Sequence, residues 1–245
     1  RHALASLVLA LFLFPSTAMG ETVKYDDLVI RQFRYYKKFT DIPYTGKVTG
    51  LKQGSFKDGL KDGPWVYYYE TGQIEEKGAW ASVWQHGPWV RYHKNGELHY
   101  KGNYFYGKKD GPWIAYYRDG NLNNKGTWKL GRKDGPWIRY WPNGKLDFKG
   151  TFKDGERNGP YVSYYENGQL EVKGSGKYGR WDGPCIWYYD NGQLKYKGTF
   201  KNGIKDGPHI RYYEDGQLHF KGAFKDDKKD GPWVVYGPGG QLLSK

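Results

Sequence analysis

Lysine returns in this chain at a fixed interval. Lys77, Lys101, Lys125, Lys149, Lys173, Lys197, Lys221 and Lys245 stand 24 residues apart without a gap. A row of ammonium groups can grip an anionic polymer, an acidic protein surface or lipid headgroups. It can also do no more than keep a β-sheet solvated and unaggregated. In step with the lysines run Trp65, Trp89, Trp113, Trp137 and Trp233, together with Tyr69, Tyr117, Tyr165, Tyr189 and Tyr213. Trp and Tyr anchor many binding interfaces, and a lysine over an indole gains cation–π attraction. The plainer reading of the same aromatics is cross-strand packing. Lysine and tryptophan rows together form the candidate binding face.

Residues for covalent or acid–base chemistry do not converge. The chain has no His-Glu-x-x-His, no Gly-x-Ser-x-Gly and no second cysteine, so the usual zinc-protease, hydrolase and disulfide signatures are missing. Lys173-Gly174-Ser175-Gly176-Lys177 looks like a fragment of a phosphate loop, but the upstream glycine spacing fails and Tyr178 stands where Ser or Thr is needed. His86, His93, His99, His209 and His219 fall at unrelated places in the repeat, unlike a ligand set with fixed geometry. Cys185 and His209 each replace a repeat tryptophan. Asp62, Asp110, Asp134, Asp182, Asp206 and Asp230 precede Gly-Pro, where turn chemistry accounts for them. No catalytic residue, metal or cofactor is expected, and the chain reads as a non-enzyme.

The elements that must carry these rows follow from the same period. Gly-Pro begins at Gly63, Gly87, Gly111, Gly135, Gly159, Gly183, Gly207 and Gly231. Counting that glycine as zero, offset three is Val or Ile, offset five Tyr, offset nine Gly, offset eleven Leu or Ile, and offset fourteen Lys. With 24 Tyr, 11 Trp, 11 Phe, 36 Gly and 12 Pro in 245 residues, long helices are excluded and short strands with tight turns are favoured. Each unit reads as a β-hairpin, its first strand Pro-Trp-Ile-x-Tyr-Tyr and its second Gln-Leu-x-x-Lys-Gly-x-Phe. Pro142 and Pro238 at offset seven and Gly at offset nine suit a type I turn with a left-handed glycine and a bulge. A two-residue Asn-Gly loop is the competitor and would flip one strand. With the bulged turn, offset five faces offset eleven. Continued without further bulges, that register buries Val/Ile, Tyr, Leu, the glycine at offset fifteen and the aromatic at seventeen. It turns Trp at offset two and Lys at fourteen outward as neighbours. If the register differs, the tryptophans are core. A second turn before each Pro, such as Lys-Asp-Gly, is expected to join successive units. The fold class is all-β, an elongated antiparallel sheet of stacked 24-residue hairpins.

The ends are different. Arg1-His2, the apolar run Ala3–Phe14 and the small residues Ala18 and Gly20 fit a secretory signal peptide over residues 1–20; an uncleaved membrane anchor is the alternative. Residues 21–62 hold one degenerate half-repeat, Gly54-Ser55-Phe56-Lys57-Asp58-Gly59, and read as an N-terminal cap. The eight units occupy 63–245. Export would place the chain in a secreted, periplasmic or cell-envelope setting. A net charge of +13 attracts anionic surfaces, but no nucleic-acid partner is expected of an exported protein.

The unit Asp-Gly-Pro-Trp…Tyr-Tyr-Glu-Asn-Gly-Gln-Leu…Lys-Gly-Thr-Phe, preceded by Pro43-Tyr44-Thr45-Gly46-Lys47-Val48, resembles the bacterial MORN-repeat variant family, whose members include YwqK-type toxin–antitoxin antitoxins. The resemblance spans about residues 26–245 and implies stacked hairpins in a long sheet. It also implies neutralisation of a partner toxin by binding. Choline-binding cell-wall repeats are similar in composition, though their unit is shorter and lacks the regular Gly-Pro. The expectation is a non-catalytic scaffold that binds a partner protein, antitoxin-like by resemblance. The alternative is a secreted module that holds anionic envelope polymer or lipid headgroups on its Lys/aromatic face.

Overall fold

A computed structural model describes residues 21–245; the expected signal peptide lies outside the described residues. Apart from one 3-10 turn at Tyr25–Asp27, the regular structure is strand. From Gly46–Thr49 to Leu242–Ser244 nineteen strands pair antiparallel in sequence order, Arg180–Trp181 and Gly183–Tyr188 sharing the partner Leu170–Lys177. At the N-terminal end Thr22–Lys24 adds a parallel strand against Gly46–Thr49, which completes a 20-stranded sheet. Tyr44, Val48, Phe56 and Trp65 form a buried cluster that fastens this end to the first repeat.

Two turns alternate along the sheet. Within a unit, the Tyr165 N–H donates to the Gln169 carbonyl at 2.9 Å and the Gly168 N–H to the Tyr165 carbonyl at 2.8 Å. Gly168 is left-handed at φ 93°. This is the three-residue bulged turn expected from the Gly at offset nine. The second turn does not fall at Lys-Asp-Gly before proline. Lys153 pairs with Glu156, and between them Asp154 and Gly155 both take positive φ, 53° and 91°, as a type I′ turn requires. Asp134-Gly135 lie instead inside the strand Arg132–Tyr140, where the pairing skips from Gly126 opposite Trp137 to Trp128 opposite Lys133. The aspartate serves the neighbouring turn: Asp110 accepts the Leu130 N–H and Asp182 the Asn202 N–H, both at 3.0 Å.

A further bulge decides which side chains are core. Tyr140 faces Leu146, offset five against eleven, as expected, but Arg139 then faces Phe148 and Asp147 is left as the extra residue. Trp137 therefore faces Gly150, and Ile138 faces Lys149. The expected register placed Trp opposite Lys and is corrected by one residue, which exchanges the faces of one strand relative to the other. The aromatic face carries offsets two, four, thirteen, fifteen and seventeen. Trp65, Trp89, Trp113, Trp137, Tyr161, Cys185 and His209 are all buried at offset two. Val/Ile and Tyr of offsets three and five, expected in the core, share the other face with lysine.

Candidate binding face

The tryptophan rings of the aromatic row are packed onto the sheet rather than presented as free platforms. Trp137 donates its Nε1–H to the Thr127 carbonyl at 3.1 Å, and Trp113 donates to Asn103 at 3.0 Å. Trp65, Trp89 and Trp233 make the same bond to Ser55, Ala79 and Ala223. Each indole lies against the glycine of the preceding strand, so its face is covered and its polar tip is satisfied. Edge-to-face neighbours complete the stack, such as Trp128 against Trp137 at 5.5 Å.

Cation–π contact is present, but with other lysines than expected. Lys109 sits 4.2 Å from the Trp113 ring centroid, Lys133 4.3 Å from Trp137, and Lys229 4.8 Å from Trp233. These cations lie two residues before the repeat glycine, on the aromatic face; Lys109 and Lys133 are half-buried, and Lys229, near the end of the sheet, is exposed. Burial pushes the Lys61 ammonium down to about 8, with Lys52 adding repulsion, and burial likewise lowers Lys109 and Lys133. Sequence reasoning missed this set; its signal was the recurrence of Lys or Arg at Lys61, Lys109, Lys133, Arg157, Lys205 and Lys229.

Lys77, Lys101, Lys125, Lys149, Lys173, Lys197 and Lys221 are all exposed, on the opposite face from the tryptophans. The expected combined Lys/Trp face is thus two faces. Each lysine is flanked on both sides by aliphatics: Lys101 pairs with Val90 and Ile114, and Lys125 with Ile114 and Ile138. Val66, Lys77, Val90, Lys101, Ile114, Lys125 and Ile138 make one line across seven strands. Lysine stems can lie along the aliphatics while the ammonium groups stay in water. Equivalent lysines are two strands apart, about 10 Å. Pro64, Pro88, Pro112 and Pro136 run beside this line, and together they border an apolar groove of about 930 Å3.

The other residues singled out in the sequence are structural. Lys173–Lys177 lies in the strand Leu170–Lys177, and Gly174 leaves room for Cys185 and Trp181. Burial raises the Cys185 thiol. His93 and His99 stack at 4.2 Å, and among the described residues no three His, Cys, Asp or Glu side chains cluster as metal ligands would. The offset-six residues, read from the sequence as interface anchors or cross-strand packing, stitch repeats together. Tyr69, Tyr117, Tyr165, Tyr189 and Tyr213 each donate a hydroxyl to the offset-five carbonyl of the next unit at 2.8–3.0 Å. Trp141 makes the same link through its indole N–H, at 3.0 Å.

Seven segments, residues 61–80, 85–105, 109–130, 133–154, 157–178, 181–202 and 205–226, match the family described as MORN repeat variant. A search of the curated proteins found no match. Among solved structures, the crystal structure of TcdB2-TccC3-TEV aligns at 12% identity and a TM-score of 0.20, covering 86% of this chain and 16% of that one. That of TcdB2-TccC3-Cdc42 aligns at 15% identity and a TM-score of 0.17, with the same coverage. The chain thus spans 16% of the length of each of those chains.

Proposed function

This chain belongs to the MORN repeat variant family, and on that premise we propose that it works as a non-catalytic scaffold that binds a partner protein on its lysine face. One observation carries the reading. Lysines and aliphatics alternate in a line that borders a 930 Å3 apolar groove, while the aromatic face spends its hydrogen-bonding groups on the sheet itself. Apolar floor and charged rim together make a protein-binding surface, in which an apolar centre supplies affinity and charge supplies orientation. The resemblance to YwqK-type antitoxins supplies a partner type, a toxin held inactive by occupancy. Export by the 1–20 segment would place that encounter in the cell envelope or outside the cell.

A second reading rests on the lysine row alone. Seven exposed cations in one row, on a chain of net charge +13, suit an anionic envelope polymer or lipid headgroups. Affinity capture with the tagged chain from cell-envelope extract, at low and high salt, tests both. Retention of a stoichiometric protein at high salt supports the scaffold reading, because apolar contacts survive screening. Loss of all binding as salt rises, with retention of polymer or vesicles at low salt, supports the second reading instead.

A further inference from the structure

The groove has a built-in ruler. It spans the four units from Pro64 to Ile138, and Lys77, Lys101 and Lys125 mark it at intervals of two strands, about 9.6 Å. Every strand along this stretch is paired on both sides, so no free backbone edge is available for an added strand. An occupant must be read by side chains, and its own backbone must remain satisfied without the sheet.

These conditions separate the common peptide conformations. A β-strand presents every second residue to one face, a step of about 6.7 Å that falls out of register with the lysines at once. An α-helix returns to the same face every seven residues, about 10.5 Å, and is about 10–12 Å thick. A polyproline-II chain returns every third residue, about 9.3 Å, and keeps its backbone in water without internal hydrogen bonds. Over the groove's length of about 29 Å the polyproline-II step drifts from the lysine row by only about 1 Å, within reach of a flexible lysine stem. A carbohydrate polymer would call for exposed aromatic platforms, and the aromatics along this groove, Trp65, Trp89 and Trp113, are buried.

The geometry points to an extended, polyproline-II-like peptide with an acidic residue at every third position as the occupant of this groove. Its carboxylates meet Lys77, Lys101 and Lys125 in turn, and the intervening apolar residues lie on the Pro and Val/Ile rows. The inference rests on the protein-partner reading above and names the kind of segment through which that partner is held.

The test uses the whole chain and a fluorescent (Pro-Pro-Glu)4 peptide, followed by anisotropy. A second peptide carries the same four Glu with one Pro between them, flanked by Pro to equal length, and a third is (Pro-Pro-Gln)4. The first should bind at least about tenfold more tightly than either control, the energetic equivalent of one well-placed charge contact. The triple variant Lys77→Gln, Lys101→Gln, Lys125→Gln, verified as folded by circular dichroism, should lose about tenfold or more. Lys173→Gln, Lys197→Gln, Lys221→Gln, which removes equal charge outside the groove, should stay within about twofold. Equal affinity for both Glu spacings, or equal losses in the two triple variants, would show simple charge attraction and overturn the ruler. No binding of (Pro-Pro-Glu)4, with phosphatidylglycerol vesicles held through Lys77, Lys101 and Lys125, would replace the peptide by a membrane. A captured partner protein that this peptide fails to displace would leave the scaffold reading standing and remove this one.

Discussion

The indole of Trp137 lies flat on Gly126, so that a Cβ at that glycine would fall inside the ring's van der Waals envelope. The same pairing recurs as Trp65 on Gly54, Trp89 on Gly78, Trp113 on Gly102 and Trp233 on Gly222. A single-layer sheet has no second layer to bury its aromatics against. Here each ring is buried against backbone, which is possible only where the neighbouring strand lacks a side chain.

Gly126→Ala should therefore destabilise the protein by about 1–3 kcal/mol, as overpacking does. Trp137→Ala should cost about 3–5 kcal/mol. The two residues are in direct contact, so the double variant should cost clearly less than the sum. Thermal and urea melts of the four proteins measure the coupling. Strict additivity would mean that the ring does not rest on the glycine.

Tyr165→Phe should cost about 0.5–1.5 kcal/mol, because the Tyr188 carbonyl loses the hydroxyl that links two repeats. Tyr164→Phe should be nearly neutral, since its hydroxyl has no protein partner among the described residues. Urea midpoints of the two variants are the check. A larger loss at Tyr164 would restore the register in which offset five is core.

His209 gives the fold a dependence on acid. Its Nε2–H donates to the Thr199 carbonyl at 2.9 Å, which leaves Nδ1 to accept the Tyr196 hydroxyl. Burial holds the imidazole below its ordinary value, and Lys205 adds to the effect. A histidine depressed in the folded state contributes nothing at pH 8, where both states are neutral. As pH falls through about 6.5 the unfolded chain takes up a proton that the folded one refuses, and stability declines until the folded-state value is reached. The melting temperature should fall between pH 7.5 and 5. His209→Trp, which restores the usual residue of this offset, should flatten part of that slope. An unchanged slope would assign the pH dependence to other groups.

Deleting residues 111–134 joins Asp110 to Gly135 in phase with the repeat. The strands on either side of the cut pair only with their neighbours in sequence, so the shortened chain should fold with little loss. Deleting twelve residues removes one strand and reverses the direction of those that follow. Circular dichroism and melting of both should show a cooperative fold for the first and not for the second.

Changing Lys101, Lys125, Lys149 and Lys173 to Gln should leave folding intact, at less than about 0.5 kcal/mol for each exposed site. Salt-sensitive binding to anionic vesicles or envelope polymer, where present, should fall sharply. Retained binding in a co-sedimentation assay at two salt concentrations would remove the lysine row from the candidate site.

Period, strand content and the bulged turn at offset nine were legible because they depend on local chemistry. Gly168 supplies the left-handed residue and the residues beside it close the loop within five positions. The joining turn was misplaced because Asp-Gly before proline carries the same composition as a turn. There Gly135 takes its positive φ, 94°, inside a strand.

The amino-acid sequence by itself determined that this protein is a stack of β-hairpins of one period with lysine in a fixed row. Only the tertiary structure decided which side of the sheet that row occupies. The deciding residue is the bulge at offset twelve, filled in turn by Glu75, His99, Asn123, Asp147, Glu171, Lys195 and His219, a set with no common turn chemistry. No local preference marks it. The extra residue is fixed by the fit of an aromatic ring on the bare backbone of a neighbouring strand, a contact between residues such as Gly126 and Trp137. The glycine inside each second strand was the trace of it, since a strand glycine marks close approach. Only the facing strand shows what approaches, and with it that the tryptophans go inward and the lysines keep company with Val and Ile.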